Sequence, residues 1–176
     1  ASASNSKLKN NSQDFGYCLG VLHHTTNPEE GLKKCIMKLK KGSPFLIYLY
    51  YRFDNRPKYY YWIWSLTIIP RKIISSLPFQ LKIFITRIIS LFIYLPLAKS
   101  SKLLKKFGLN IKHFPLWNYS NKSFYFMQTD ALDRFGTKIE KRFTKKEIIK
   151  MMNFAGLERI SFSKTAPYWV ALGYKQ

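Results

Sequence analysis

Two adjacent histidines, His23 and His24, follow a short apolar run, Phe15 to Leu19, and Gly20. Imidazole titrates near neutral pH, so either ring is a weak candidate for a general base. Neighbours on a strand or turn point different ways. One can face a ligand while the other packs, and a structural histidine at a strand end is the more common outcome. Metal chemistry has little behind it, because there is no C-x-x-C or H-x-x-x-H spacing and Cys18 sits inside the apolar run. There is no G-x-S-x-G motif for a nucleophile and no glycine-rich phosphate loop. No metal site is expected. Charge and aromatics alone would have to carry nucleic-acid binding, with no recognisable module, so no specific nucleic acid is expected either.

The histidines need a strand and a helix to hold them. Asp14 precedes the apolar run, and Asn27-Pro28-Glu29-Glu30 follows the histidines. Asn27 is a good N-cap, Pro28 is pre-set for a first helical position, and two glutamates suit the positive end of a helix dipole. Asp14 to Glu30 therefore reads as a strand, a tight polar turn and a helix start. Strand ends of this kind are where an α/β sheet meets its ligand. Leu32, Ile36 and Leu39 give Pro28 to Leu39 one apolar face, and Lys40-Lys41-Gly42 reads as its stop. Phe45 to Tyr51 is a continuous apolar run, as for a strand covered on both faces. Strand, helix and strand make a βαβ unit with a parallel pair and a right-handed crossover.

The chain has 176 residues, enough for a domain with a real core, and a net charge of +21. Such charge draws the chain toward nucleic acid, an acidic membrane surface or phosphorylated substrates. A lysine- and isoleucine-rich composition is the plainer explanation, since lysine is scattered along the chain. Two cysteines, Cys18 and Cys35, fit a reducing compartment rather than a disulfide scaffold. Residues 1–13 are polar, lack a leader's apolar segment and read as a disordered or truncated edge.

From Arg52 the character changes. Pro57, Pro70, Pro78 and Pro96 divide an apolar, basic region into helix-sized pieces. On a helical wheel of Pro78 to Leu95, Gln80, Lys82, Thr86, Arg87, Ser90 and Tyr94 form one polar arc within a wide apolar surface. Lys82 and Arg87 argue against a membrane span. Two readings stay open: a helical insertion that folds on itself and caps the sheet edge, or a functional surface, either basic and amphipathic on an anionic membrane or an apolar pocket for a lipid-like substrate. Between Glu30 and Asp130 the one acidic residue is Asp54. Phe124 to Met127 could be a short strand or a helical turn. Asp130 to Phe143 reads as a mixed-charge, salt-bridged surface loop. Thr144 and Glu147 form a capping-box pattern for a helix ending at Gly156. Leu157 to Ser163 and Tyr168 to Tyr174 read as an antiparallel hairpin turning at Thr165-Ala166-Pro167.

The run D-x5-G-V-L-H-H-T-x-N-P from Asp14, a helix, a basic turn at Gly42 and an apolar strand resemble part of a known family. That family is the class I S-adenosylmethionine-dependent methyltransferases, here the C-terminal half of a type 11/12-like member. Asp14 matches the acidic residue opening the family's fourth strand. Leu19-Gly20-Val21 matches the strand end that passes the methionine part of the cofactor. Lys40-Lys41-Gly42-Ser43 stands in for the turn before the fifth strand, without its proline and second glycine. The ending matches the last helix and the sixth and seventh strands.

The resemblance implies an α/β fold: a partial Rossmann-like sheet of strands 4, 5, 7 and 6, with a large helical insertion after the fifth strand. The N-terminal strands, with their G-x-G-x-G loop and ribose-binding acidic residue, are missing from this sequence. Residues 14–54 and 122–176 would form the C-terminal half of the domain, and 55–121 a helical substrate lid. S-adenosyl-L-methionine is the implied cofactor, with Leu19, Gly20, Val21 and His24 on its side and Tyr51, Arg134 and Tyr168 on the substrate side. The loop from Asp130 to Arg142 would fold back near the same mouth. A small or lipid-like acceptor, peripheral membrane contact through 58–106 and a separate N-terminal half are the implied partners. The expected location is cytoplasmic, at or near the inner face of a membrane. The alternative is a non-catalytic basic protein binding anionic membrane or nucleic acid.

Overall fold

The computed structural model describes residues 7–111, 113–165 and 169–176. The expected turn at 165–167 lies partly, and Tyr168 wholly, outside them. The chain divides into two compact units. One runs to Asp54 and resumes at Ile139; the other is Asn55–Lys138.

The first unit is α/β. Its elements are β1 (Gly16–Leu19), α1 (Pro28–Ile36), β2 (Pro44–Tyr48), α7 (Lys145–Phe154), β3 (Leu157–Phe162) and β4 (Val170–Lys175). The sheet order is β1-β2-β4-β3. β1 and β2 are parallel, with Cys18 opposite Ile47, and the other pairs are antiparallel. The parallel pair follows from α1 between them, since a helical crossover returns the chain to run the same way. The oxygen of Asn27 accepts the Glu30 amide at 3.2 Å, and Pro28 takes the first helical position. The helix ends at Ile36, before the expected stop. Leu39 turns inward and bridges Gln13, and Gly42 (φ +77) instead makes the turn into β2.

Buried residues alternate along β2 (Phe45, Ile47) and β4 (Ala171, Gly173). They join Leu32 and Ile36 of α1 and Ile148 and Met152 of α7 in one core. The other sheet face is different. Tyr17 and Leu19 lie opposite Leu46 and Tyr48, and Tyr17 is 68% exposed. On this face Leu46 and Tyr48 of β2 are partly buried.

Thr144 and Glu147 form the expected capping box, with the Thr144 amide donating to the Glu147 carboxylate at 2.7 Å. Arg52 Nη1 donates to the same carboxylate at 3.0 Å. Burial works to raise the Glu147 pKa, but the Thr144 donors and the Arg52 charge outweigh it and hold it below the usual value. A carboxyl lowered on folding stabilises the fold above its unfolded pKa and loses that contribution as pH falls through the folded one. Acid titration followed by circular dichroism should show stability falling below about pH 4.5. Glu147→Gln should flatten part of that fall.

The second unit is helical: α2 (Lys58–Leu66), α3 (Ile68–Ser76), α4 (Phe79–Ile89), a wide π turn (Ser90–Tyr94), α5 (Leu95–Lys106) and α6 (Phe124–Gly136). Ser123 caps α6. The stretch read from sequence as a mixed-charge loop is thus helical as far as Gly136. Asp130 and Arg134 sit one turn apart and pair at 2.7 Å, which satisfies their charges on a helix. Pro96 does not break the chain's path either. The Leu95 amide bonds to Ser90, and this widened turn carries one helix through from Phe79 to Lys106. That helix is, among the described residues, the one long and apolar enough to cross a bilayer.

Its packing reverses the usual arrangement. Thr86, Ser90, Tyr94, Ala98 and Ser101 are buried, while Phe84, Ile88, Leu91, Phe92 and Ile93 are exposed. Tyr94 and Ala98 pack with Tyr119, Met127 and Ala131. Tyr94 donates to Asp130 at 3.1 Å, and Arg134 Nη2 donates to Tyr119 at 3.1 Å. Burial pushes both phenols well above their usual pKa, against the smaller opposing pull of Arg134.

Candidate functional site

The parallel strands β1 and β2 end side by side. Gly20 (φ +72) closes β1 in a conformation that suits glycine, and its amide donates to the Tyr48 carbonyl at 3.1 Å. A Cβ there would meet only Tyr48, at 3.9 Å, so the backbone is open to an approaching group. Leu19 and Val21 on either side are about half exposed. Leu22 to His24 then make one 3₁₀ turn into α1.

That turn separates the histidines. His23 is fully buried and stacks on Tyr50, with ring centroids 3.8 Å apart. His24 is half-buried, with Nδ1 2.7 Å from the Ile139 carbonyl. Burial of this kind suits packing for His23 better than proton transfer to a ligand.

Residues Ile139 to Phe143 form a strap across the two strand ends. The Lys141 amide donates to the His23 carbonyl at 2.9 Å and the Phe143 amide to the Tyr50 carbonyl at 2.8 Å. Tyr51 and Phe143 form a parallel bridge. Under the strap lies an ion pair the sequence reading put on the surface. Arg142 Nε meets Glu140 Oε1 at 2.8 Å, and the two side chains are only 4% and 6% exposed. Arg142 also donates to the Tyr51 carbonyl at 3.2 Å and lies 4.7 Å from the Phe53 ring centroid. Phe53 holds φ +61, a strained conformation for a side chain of its size. Nothing in the local sequence marks Glu140 or Arg142 as buried. Their partners come from the β2 end, far away along the chain.

The structure brings Leu19, Gly20, Val21, His23, His24 and Tyr51 together at the ends of β1 and β2. Arg134 belongs to the helical unit, where Asp130 and Tyr119 hold it. Asp14 lies at the opposite end of β1, in an exposed pair with Lys40 that contributes little. Among the described residues no three His, Cys, Asp or Glu side chains gather as for a metal. Burial pushes the Cys18 thiol up. It does the same for Cys35, with Cys18 adding to it, so both stay protonated and unreactive near neutral pH.

The strand end thus offers open glycine backbone between two half-exposed apolar side chains, and the sequence holds no glycine-rich loop.

No protein-family model matches the chain, and no curated protein matches it. Solved structures of similar fold include an S-adenosylmethionine-dependent methyltransferase of Thermotoga maritima, at 15% identity and TM-score 0.45 over 99% of this chain. Another from Methanosarcina mazei has 14% identity and TM-score 0.45, again over 99% of this chain. A chain from Bordetella parapertussis, described as a possible exported protein, has 11% identity and TM-score 0.46 over 98% of this one. This chain spans 61%, 65% and 42% of those three chains, less than two thirds of each.

Proposed function

We propose that this chain is the C-terminal part of an S-adenosylmethionine-dependent methyltransferase that does little alone. The cofactor, when bound, supplies the electrophilic methyl group. Leu19, Gly20 and Val21 would form one wall for its methionine end, and His24 would lie at the rim. Residues 55–121 would serve a small or lipid-like acceptor. Methyl transfer needs in-line positioning more than acid or base groups, so a buried His23 does not count against it.

The observation that carries the reading is the Leu19–Val21 turn beside a sheet edge. β1 pairs with β2 on one side, and among the described residues no strand pairs with its other side. Tyr17 and Leu19 are exposed on that strand, as is Phe15 just before it. An open edge with an apolar face invites a further strand and cover. A partner segment carrying G-x-G-x-G on a strand would complete both the sheet and the cofactor site.

Calorimetry tests this directly. The chain alone should bind S-adenosylmethionine weakly or not at all. Coexpression with a segment encoded upstream that carries such a loop should yield a copurifying pair with micromolar affinity or better. Tight binding by the chain alone would contradict the need for a second half.

A further inference from the structure

The helical unit presents the wrong side of its longest helix to water. Its buried stripe is polar or small: Thr86, Ser90, Ala98 and Ser101, with Tyr94 between them. The Ser90 hydroxyl bonds to the Thr86 carbonyl at 2.8 Å and lies 3.3 Å from the Met127 carbonyl, so the polar side is committed inward. The outward side carries Phe84 and Phe92, the latter 70% exposed. Trp62, Leu66, Ile69 and Phe107 are exposed on the same unit. Exposed apolar groups in such number mark an interaction surface.

The charge on this unit narrows the partner. Residues 55–138 hold fourteen lysines and arginines against Asp130 and Asp133, and no acidic residue occurs from Asn55 to Thr129. Lys58, Lys72, Arg87, Lys102, Lys105 and Lys106 are exposed. A nucleic acid duplex would use the charge and leave the apolar side chains in water, and a single strand, though it stacks on aromatic rings, would leave Leu66, Ile69, Ile88, Leu91 and Ile93 there. An apolar protein face would use those side chains and leave the charge unmatched. An anionic bilayer takes both: acyl chains meet the apolar side chains while headgroups meet the lysines.

We propose that the helical unit docks on the surface of anionic lipid bilayers. It lies in the interface rather than across it. Lys82 and Arg87 place charge within its apolar run. Its inner side also packs against the Asp130–Arg134 pair, which a span would carry to bilayer depth. The docking holds whether or not the chain takes part in methyl transfer.

Cosedimentation of the full chain with vesicles tests it. Vesicles of phosphatidylcholine with phosphatidylglycerol should capture the chain at least tenfold more tightly than phosphatidylcholine alone, and about 0.5 M salt should release it. Lys102, Lys105 and Lys106 changed together to Gln should weaken capture about a hundredfold, at roughly fivefold per charge. Phe84→Ser with Phe92→Ser should also weaken it, with the circular dichroism spectrum unchanged because both side chains are exposed. Capture that ignores lipid charge, or that resists salt as a spanning helix would, overturns the proposal. So does binding to duplex DNA as tight as to vesicles and indifferent to the Phe changes. Absence of vesicle binding from a chain that self-associates in light scattering overturns it in favour of a second copy.

Discussion

Glu140→Gln should destabilise the α/β unit by about 3 kcal/mol or more, read as a lowered urea midpoint at unchanged slope. The substitution keeps the shape and removes the charge. It leaves the Arg142 guanidinium under the strap without its counter-ion, 2.8 Å from where the carboxylate stood. An exposed pair at that distance would matter little, within about 1 kcal/mol. Burial decides the matter here. With side chains 4% and 6% exposed, water cannot take over the lost interaction. Arg142→Met should cost a similar amount by leaving the carboxylate stranded.

The double variant separates the pair from its surroundings. Glu140→Gln with Arg142→Met removes both charges and should recover much of the loss, since neither charge is then left buried without its partner. The coupling should reach about 1 kcal/mol or more. Hydrogen exchange adds a local reading. The amides of Lys141 and Phe143, which tie the strap to His23 and Tyr50, should lose protection first in either single variant. Two single variants that each cost under about 1 kcal/mol would mean that water reaches the pair and the strap is not held by it.

The sequence announced some parts of this architecture much better than others. Asn27-Pro28-Glu29-Glu30 starts a helix by local chemistry alone, and Thr144 with Glu147 does the same. Local signals of this kind need no knowledge of the fold. Helix α6 shows the opposite. Asp130, Asp133 and Arg134 looked like a charged loop, because what offsets their charge is the Asp130–Arg134 pair and Tyr94 from another helix. The cap at Ser123 was the available clue. On Phe79–Lys106 the polar arc was visible, but a wheel does not say which arc faces inward. The inversion depends on Met127 and Ala131 of α6, distant in sequence. Glu140 and Arg142 resemble any surface pair until Tyr51 and Phe53 are placed around them. The Gly20 turn was legible as a strand end; that the loop to Arg142 comes near it was expected from the resemblance alone, and nothing in residues 139–143 themselves announced the strap.

Leu22→Ala should cost the same unit about 3 kcal/mol, within the usual range of 2–5 for a fully buried leucine. Leu22 is 0% exposed and begins the turn that carries the chain from Gly20 to His24. It seats against α1 where that helix has a glycine: a Cβ on Gly31 would come within 2.8 Å of Leu22 Cδ2. The fit between the two residues fixes how closely the turn approaches the helix. Truncating Leu22 leaves a void there and frees the Gly20–His24 segment, so protection of the His24 and Thr25 amides should fall along with global stability. Gly31→Ala alone should be mildly destabilising, because its gain in helix propensity of about 1 kcal/mol is opposed by the clash with Leu22. In the Leu22→Ala background the same change should stabilise, since the new methyl enters the void and the propensity gain is no longer opposed. A sign reversal between the two backgrounds, measured by urea denaturation, is the specific result expected. Equal effects of Gly31→Ala in both would mean that Leu22 does not set the distance between the turn and α1, and that the strand-end backbone is held by the strap alone.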